Sequence, residues 1–276
     1  MKIIDKQIIG KDKNARIVQI KVYSPLIAGQ FRAGQFVIIM VSRESERIPL
    51  TIADSDIKTG AVTIIFQELG YSTKLLGSLR KGRSLYALSG PLGNPADISN
   101  YGKVLVVGGG VGIAEVYPVV KALAENGCRI TAVLGARTKS LLILKDQIRG
   151  YCEKTFITTD DGTIGKRGFI TDVLKETLKK NSDFNLVYCV GPVVMMRKVA
   201  EMTKVYSIKT KVSLNAIMLD GTGMCGSCRV KLGNKTKLCC VDGPDFNAHC
   251  VDFDQLLLRQ DRFLEKEKLI KKIFKQ

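Results

Sequence analysis

Five of the eight cysteines, Cys225, Cys228, Cys239, Cys240 and Cys250, crowd into one short stretch, while Cys128, Cys152 and Cys189 stand alone. A chain of 276 residues is not a small disulfide scaffold. Crowding of this kind in a reducing compartment points to a metal or a cluster, so part of the fold must wrap around an inorganic centre. At roughly 100–200 residues per domain, the rest of the length suits two domains with a small appendage. A hydrophobic fraction of 45% beside 25% charged residues supplies a real core and excludes intrinsic disorder. No run approaches about 18 apolar residues, and Lys2, Asp5 and Lys6 follow Met1. Neither a membrane span nor a secretory signal is expected, and the default address is cytoplasmic. The net charge of +17 raises nucleic acid as a partner, but the basic residues are spread from Lys2 to Lys275. With no Trp and only 7% aromatics, few platforms exist for stacking bases, so no nucleic-acid partner is expected. A diffuse positive field suits the steering of acidic proteins or anionic cofactors.

Three rhythms divide the chain. Residues 1–98 read as short strands: Val18, Ile20 and Val22 alternate with Gln19, Lys21 and Tyr23, apolar runs follow at 36–41 and 62–66, and Gly or Pro punctuates the gaps. This is the pattern of a small antiparallel barrel, an all-β unit. Across residues 99–214 strand-like and helix-like segments alternate, which predicts an α/β unit with a parallel sheet wrapped by helices. Residues 215–276 hold the Gly- and Cys-rich loop and then a helix, in which Leu256, Phe263 and Ile270 recur every seven residues, joined by Leu257, Leu264 and Phe274, with Lys266, Lys268, Lys271 and Lys272 between.

The stretch DGTGMCGSCRVKLGNKTKLCC sets Asp220, Cys225 and Cys228 at the spacing of a plant-type 2Fe-2S loop, with an aspartate in the first ligand position and Cys240 as the fourth ligand. Gly221, Gly223 and Gly226 allow positive φ values and let backbone N–H groups point at sulfide. The bacterial run of a 4Fe-4S site is missing. Structural zinc is the rival, since it accepts Cys and Asp in a similar knuckle, but the second knuckle or His pair of a zinc site is absent. Neighbours in an extended segment point to opposite sides, so only one of Cys239 and Cys240 can face the metal. His249, the single histidine, reads as a surface residue or hydrogen-bond partner.

KVLVVGGGVGIAEVYPVVKAL reads as strand, turn and helix, with Gly108, Gly109, Gly110 and Gly112 in the turn. Such a turn lets a dinucleotide pyrophosphate approach amides at a helix N-terminus. It departs from the G-x-G-x-x-G pattern, because Ile113 stands where the third glycine belongs, and the next strand ends in Gly135-Ala136-Arg137, without the usual acidic ribose ligand. A tight turn in any α/β unit would look the same.

In this order, barrel, nucleotide unit and 2Fe-2S loop, the chain resembles the ferredoxin–NADP reductase superfamily. Within it the chain is similar to electron-transfer subunits of dihydroorotate dehydrogenase and to the small subunit of NADH-dependent ferredoxin:NADP oxidoreductase, the sulfide dehydrogenase family. The likeness rests on ERIPLTIAD, FQELGYSTKLL, SGPLGNP, VVGGGVGIAEVYP, YCVGPVVMM, LDGTGMCGSCRV and CVDGP, which together cover most of the chain. The resemblance implies FAD on the barrel. The family's flavin motif falls on Ile48, Pro49, Leu50 and Thr51, with Arg47 one place before the position of the motif's arginine; Ile65, Phe66 and Gln67 match the segment lining the flavin, and Gly70, Ser72 and Thr73 the turn that meets its pyrophosphate. It also implies NAD(H) on residues 108–114, ending at Ala114, with Glu115 in place of a common Pro, and makes Gly191-Pro192 the turn approaching the nicotinamide. Cys189 is then a buried strand residue, Arg137 is either a contact for a 2′-phosphate or a solvated loop residue, and NAD versus NADP stays open. The implied chemistry is hydride exchange between NAD(H) and FAD followed by single-electron steps to the 2Fe-2S cluster, with no catalytic acid or base needed for the hydride. The implied assembly is a heterodimer with a larger flavin and iron–sulfur subunit, through which ferredoxin is reached and electrons are bifurcated. A dihydroorotate- or sulfur-linked partner, or a zinc-stabilised binding module, are the alternatives.

Overall fold

The computed structural model describes residues 1–266 and 269. Strands β1 (Ile3–Lys11), β2 (Arg16–Tyr23), β3 (Phe36–Met40), β4 (Ile48–Asp56), β5 (Ala61–Gln67) and β6 (Ala87–Leu92), with helices α1 (Pro25–Gln30) and α2 (Tyr71–Ser78), build an antiparallel sheet in the order β1-β2-β5-β4-β3-β6. A bridge between Lys2 and Ser84, just before β6, closes this sheet on itself. The alternation in β2 does what the sequence predicts: Val18, Ile20 and Val22 are buried in the barrel interior. Ile17, on the opposite face, is equally buried, because that face packs on the next unit.

From Lys103 the strands run parallel: β7 (Lys103–Gly109), β8 (Arg129–Ala136), β9 (Lys154–Thr159), β10 (Lys166–Arg167), β11 (Leu186–Val190) and β12 (Thr210–Ser213). They are connected by α3 (Gly112–Glu125), α4 (Lys145–Arg149), α5 (Ile170–Lys180) and α6 (Val193–Val205). The order β10-β9-β8-β7-β11-β12 reverses direction between β7 and β11. In open α/β sheets ligands bind at the carboxyl ends of the strands flanking such a reversal.

The last segment holds the hairpin β13 (Arg229–Leu232) and β14 (Lys235–Leu238), the single turn α7 (Cys239–Asp242), β15 (Asp245–Asn247) and α8 (Phe253–Gln260). It is stitched to the parallel sheet, because β15 pairs antiparallel with β12. One core joins Phe36 and Ile38 of the barrel, Leu105, Val107 and Met196 of the α/β unit, and Cys228, Cys239, Phe253 and Leu256. The predicted terminal helix is present, interrupted by one tighter turn, and residues 264–266 beyond that turn are helical again. α8 stops at Gln260 and tightens into a 3-10 turn over Asp261–Phe263; Leu256 is buried and Leu257 packs beside it, but Phe263 and Leu264 are exposed. Lys268, Ile270, Lys271, Lys272 and Phe274 lie outside the described residues.

Candidate functional site

Two glycine turns meet at the sheet reversal. Gly108–Gly112 follows β7 and Gly191-Pro192 follows β11, and a Cβ on Gly191 would lie 3.2 Å from the Gly109 carbonyl oxygen. Gly110 has φ 59°, and open space surrounds its Cβ position, so the turn offers its backbone to a ligand. Gly112 does what the missing third glycine would do: a Cβ there would stand 2.6 Å from the Val190 carbonyl oxygen, so only glycine lets α3 settle on β11. Ala114 is buried behind the turn. Cys189 is buried and its thiol is held protonated by burial. Arg137 pairs across the boundary with Asp12 of the barrel at 3.3 Å.

On the barrel, β4 leaves β5 before its first residues. Ile52 onward pairs with β5, but Ile48, Pro49, Leu50 and Thr51 pair only with β3 and are half-buried. Pro49, which lacks an N–H, therefore costs no ladder bond on the open side. The flavin that the fold binds would lie along this unpaired edge, the groove of the barrel. The alternating strand β5 sends Ile65 toward the α/β unit and the Phe66 ring into the barrel core, so only the Phe66 backbone could face the groove, beside half-buried Gln67. Gly70 opens α2 with free space at its Cβ position. The hydroxyls beside it are engaged within the protein: Ser72 donates to the Glu46 carboxylate, and Thr73 Oγ1 accepts the N–H groups of Leu69 and Gly70 at 3.0 and 3.1 Å. A pyrophosphate on this turn would accordingly be met by helix amides more than by hydroxyls. Arg47 is exposed, with its Nε 3.5 Å from the Met40 sulfur.

The cysteine loop brings two of its candidate ligands into sulfur–sulfur contact and folds a third around the backbone of the fourth. Cys228 Sγ lies 3.3 Å from Cys240 Sγ, and the Asp220 carboxylate accepts the N–H groups of Thr222 and Cys225 at 2.8 and 2.7 Å. Among the described residues no three Cys, His, Asp or Glu side chains converge on one point, as a single zinc ion requires. Two thiolates on one tetrahedral metal stand about 3.7 Å apart at metal–sulfur bonds near 2.3 Å, so the Cys228–Cys240 spacing suits a shared metal, and Asp220 lies on the backbone of Cys225. Gly221, Gly223 and Gly226 all have positive φ, and the Gly223 amide faces both the Cys240 sulfur and the Asp220 carboxylate. Those backbone bonds, that of Thr222 foremost, hold the Asp220 carboxyl below its ordinary range. Burial, then the hydrogen bond from Cys228, pushes the Cys240 thiol up to about 12. Exposed Cys225 is lowered by Ser227, whose Oγ is 3.1 Å from its sulfur. Cys239 points into the core and donates its N–H to the Cys228 carbonyl at 3.1 Å. His249 Nε2 is bonded to Thr203 Oγ1 at 3.1 Å, and Cys250 is exposed.

The loop rests directly on the barrel. A Cβ on Gly221 would meet Leu92 and Ile38, and Asn94 bonds the cysteine segment twice, from its N–H to the Gly243 carbonyl at 2.7 Å and from Nδ2 to the Val241 carbonyl at 3.0 Å. Sequence reasoning missed these contacts, as it missed Glu115 and Asp245, which meet where the three parts join. Glu115 Oε2 accepts from Thr51 Oγ1 at 3.2 Å, and Asp245 Oδ1 accepts from the Tyr188 hydroxyl at 3.0 Å. The departure from Pro at position 115 was the one signal that could have found them.

Two family models match the chain: the oxidoreductase NAD-binding domain over residues 106–201, and the iron–sulfur cluster binding domain of dihydroorotate dehydrogenase B over residues 215–252. The Thermotoga maritima protein called dihydroorotate dehydrogenase B (NAD(+)), electron transfer subunit homolog, is 42% identical over 264 residues, covering 95% of this chain and 93% of that protein. The chain belongs to the dihydroorotate dehydrogenase B electron transfer subunit family. The electron transfer subunit of Bacillus caldolyticus is 32% identical over 258 residues, 87% of this chain and 98% of its own length. A solved structure of the NADH-dependent reduced ferredoxin-NADP oxidoreductase, described for flavin-based electron bifurcation, superposes with a TM-score of 0.92 at 40% identity, covering 100% of this chain and 98% of that one. As an electron transfer subunit of an NAD-dependent oxidoreductase, the chain serves a catalytic partner subunit. No helix among the described residues is long and apolar enough to cross a membrane.

Proposed function

We propose that the chain holds FAD in the groove of the barrel, NAD(H) at the sheet reversal and a 2Fe-2S cluster on Asp220, Cys225, Cys228 and Cys240. It then passes electrons between nucleotide and cluster as the small subunit of a bifurcating NADH-dependent reduced ferredoxin:NADP oxidoreductase. A bound flavin exchanges electrons in pairs with nicotinamide and singly with iron–sulfur centres, which is the conversion such a subunit must supply. The protein's own work is placement. Gly110 and Gly191 leave room for the dinucleotide, the open edge at 48–51 receives the flavin ring, and Arg47 stands at the rim of that groove as a cation for its phosphates. Asn94, Ile38 and Leu92 keep the cysteine loop against the barrel, so that carrier and cluster are neighbours.

The observation that carries this reading is the contact between the Cys228 and Cys240 sulfurs, on a loop that Asp220 folds through backbone bonds and Asn94 staples to the barrel. The aspartate in the first ligand position favours the bifurcating oxidoreductase over a dihydroorotate-oxidising partner, the second reading, which the name of the Thermotoga relative supports. In the first reading the larger partner carries further flavin and iron–sulfur centres and meets ferredoxin. Anaerobic purification with the native partner tests both: iron, sulfide and flavin should be present and the absorbance should bleach with NADH. Colourless protein, or protein holding zinc, would refute the reading, and the identity of the co-purifying subunit separates the two partners.

A further inference from the structure

Hydride exchange needs no acid or base from the protein, but the traffic that follows it does. NADH delivers two electrons and one proton together, whereas an iron–sulfur centre takes electrons alone. For each pair of electrons passed on, one proton stays behind and must find an acceptor at the site.

Glu115 stands in the first turn of α3, immediately behind the glycine turn. Its bond from Thr51 crosses from the nucleotide turn to the open edge of β4, between the two places to which the proposed reading assigns its ligands. Asp245 lies behind it; one of its oxygens takes the Tyr188 hydroxyl, with Ser213 close to the carboxyl, and the other, Oδ2, is buried with no hydrogen-bond partner among the described residues. Two carboxyls in one desolvated crevice resist simultaneous ionisation. The other charged group acting on this pair is Lys211 on β12, whose ammonium is paired with Asp97 at 3.0 Å; Asp54 on β4 and Lys121 of α3 pair with each other at 3.8 Å. Among the described residues Glu115 forms no ion pair. Although the residue is half-exposed overall, burial of its carboxyl pushes it up to about 7, against the opposing bond from Thr51 and with the Asp245 charge adding; burial likewise pushes Asp245 up to about 6. An acceptor tuned to neutral pH is the efficient kind.

We propose that Glu115, acting through the Thr51 hydroxyl, accepts the proton left behind when the two electrons of a hydride depart singly for the cluster, and returns it when electrons flow the other way. An N–H bond on the reduced ring breaks, an O–H bond forms on the Glu115 carboxylate, and the electrons go to the cluster. Thr51 gives its hydroxyl proton to Oε2 and takes the ring's proton in exchange, so it ends unchanged. Asp245 and Tyr188 position this exchange by setting the proton affinity of Glu115. The inference rests on the reading that the barrel carries a flavin.

The test uses the complex with its native partner and follows infrared difference spectra on reduction between pH 5.5 and 8.5, in H2O and D2O. A carboxylic C=O band that changes with redox state and shifts in D2O is expected, and it should vanish in Glu115→Gln. The single-electron transfer from flavin to cluster should slow about tenfold or more in that variant and lose its pH dependence near neutrality. Thr51→Val retains Glu115 and should show the same slowing with a band no longer linked to redox state. A flavin-bearing, NADH-bleached complex whose band survives Glu115→Gln, or whose electron transfer is as fast in both variants as in the wild type, overturns the proton role alone. A complex releasing no flavin on denaturation overturns the underlying reading and this one with it.

Discussion

Adjacent cysteines with opposite fates are where a single residue decides the chemistry. Cys239 and Cys240 are neighbours in α7 and both are buried, yet only the Cys240 sulfur lies 3.3 Å from Cys228, while Cys239 is fully enclosed in the core. Replacing Cys228 or Cys240 with Ser should therefore abolish the visible cluster absorbance and the bound iron while leaving flavin in place. Cys239→Ala should keep both and lose only about 1 kcal/mol of stability from a small buried void. Iron, sulfide and flavin per chain check the three variants side by side, and iron retained in Cys240→Ser would sink the assignment. The sequence alone limited the choice to one of the two, because it reports spacing and not the direction of a side chain on a one-turn helix. Gly112 is similar. Its role is hidden by a pattern that expects glycine at 113, and becomes visible only with the Val190 carbonyl 2.6 Å from its missing Cβ. Gly112→Ala should push α3 off β11, cost about 1–3 kcal/mol and raise the KM for NADH, as thermal unfolding and initial rates would record.

Elements were legible where their periodicity reflects a face buried in their own unit. β2 alternates because its inner face fills the barrel, and the strand–turn–helix of β7 and α3 follows from the turn chemistry. The repeat from Leu256 to Phe263 marks helical chain but not a continuous buried stripe. Periodicity makes a helix amphipathic, but a buried stripe also needs a surface to cover, and the core that takes Leu256 does not reach Phe263. The three-residue β15 carries no local signal at all; it exists because β12 offers an open edge. What holds the end of the chain is α8, capped by Asp252, whose Oδ1 accepts the Gln255 N–H at 3.0 Å while Oδ2 lies 3.7 Å from Lys231 of β13. Asp252→Ala should cost about 1 kcal/mol, with a range of 0.5–2, nearly all from the cap and little from the exposed ion pair. Comparing the melting temperature with that of Asp252→Asn, which keeps a capping oxygen and drops the charge, separates the two contributions.

In the whole molecule, the order of barrel, nucleotide unit and cluster loop was readable from the chain, but their common core and the carboxyl pair at their junction were not, since each draws on residues more than a hundred positions apart. That junction leaves a signature in stability. Glu115 titrates near 7 in the folded chain against an ordinary 4.5, and Asp245 near 6 against 3.8, both through burial. A raised carboxyl pKa means the folded state holds a proton that the unfolded state gives up. Its contribution is therefore complete below the unfolded pKa and is lost as pH rises through the folded one. The flavin-free chain should lose stability between pH 5 and pH 8 on this account, by on the order of 1–2 kcal/mol from Glu115 once its partial exposure is allowed for. Glu115→Gln cannot ionise, so urea unfolding should find it more stable than the wild type at pH 8 and close to it at pH 5. Asp245→Asn should behave alike over a window shifted to lower pH, with its remaining slope carried by Glu115. Parallel curves for Glu115→Gln and wild type would mean that water reaches the crevice freely, and the Thr51–Glu115 bond would then be an ordinary surface contact rather than a seam between the two ligand-holding units.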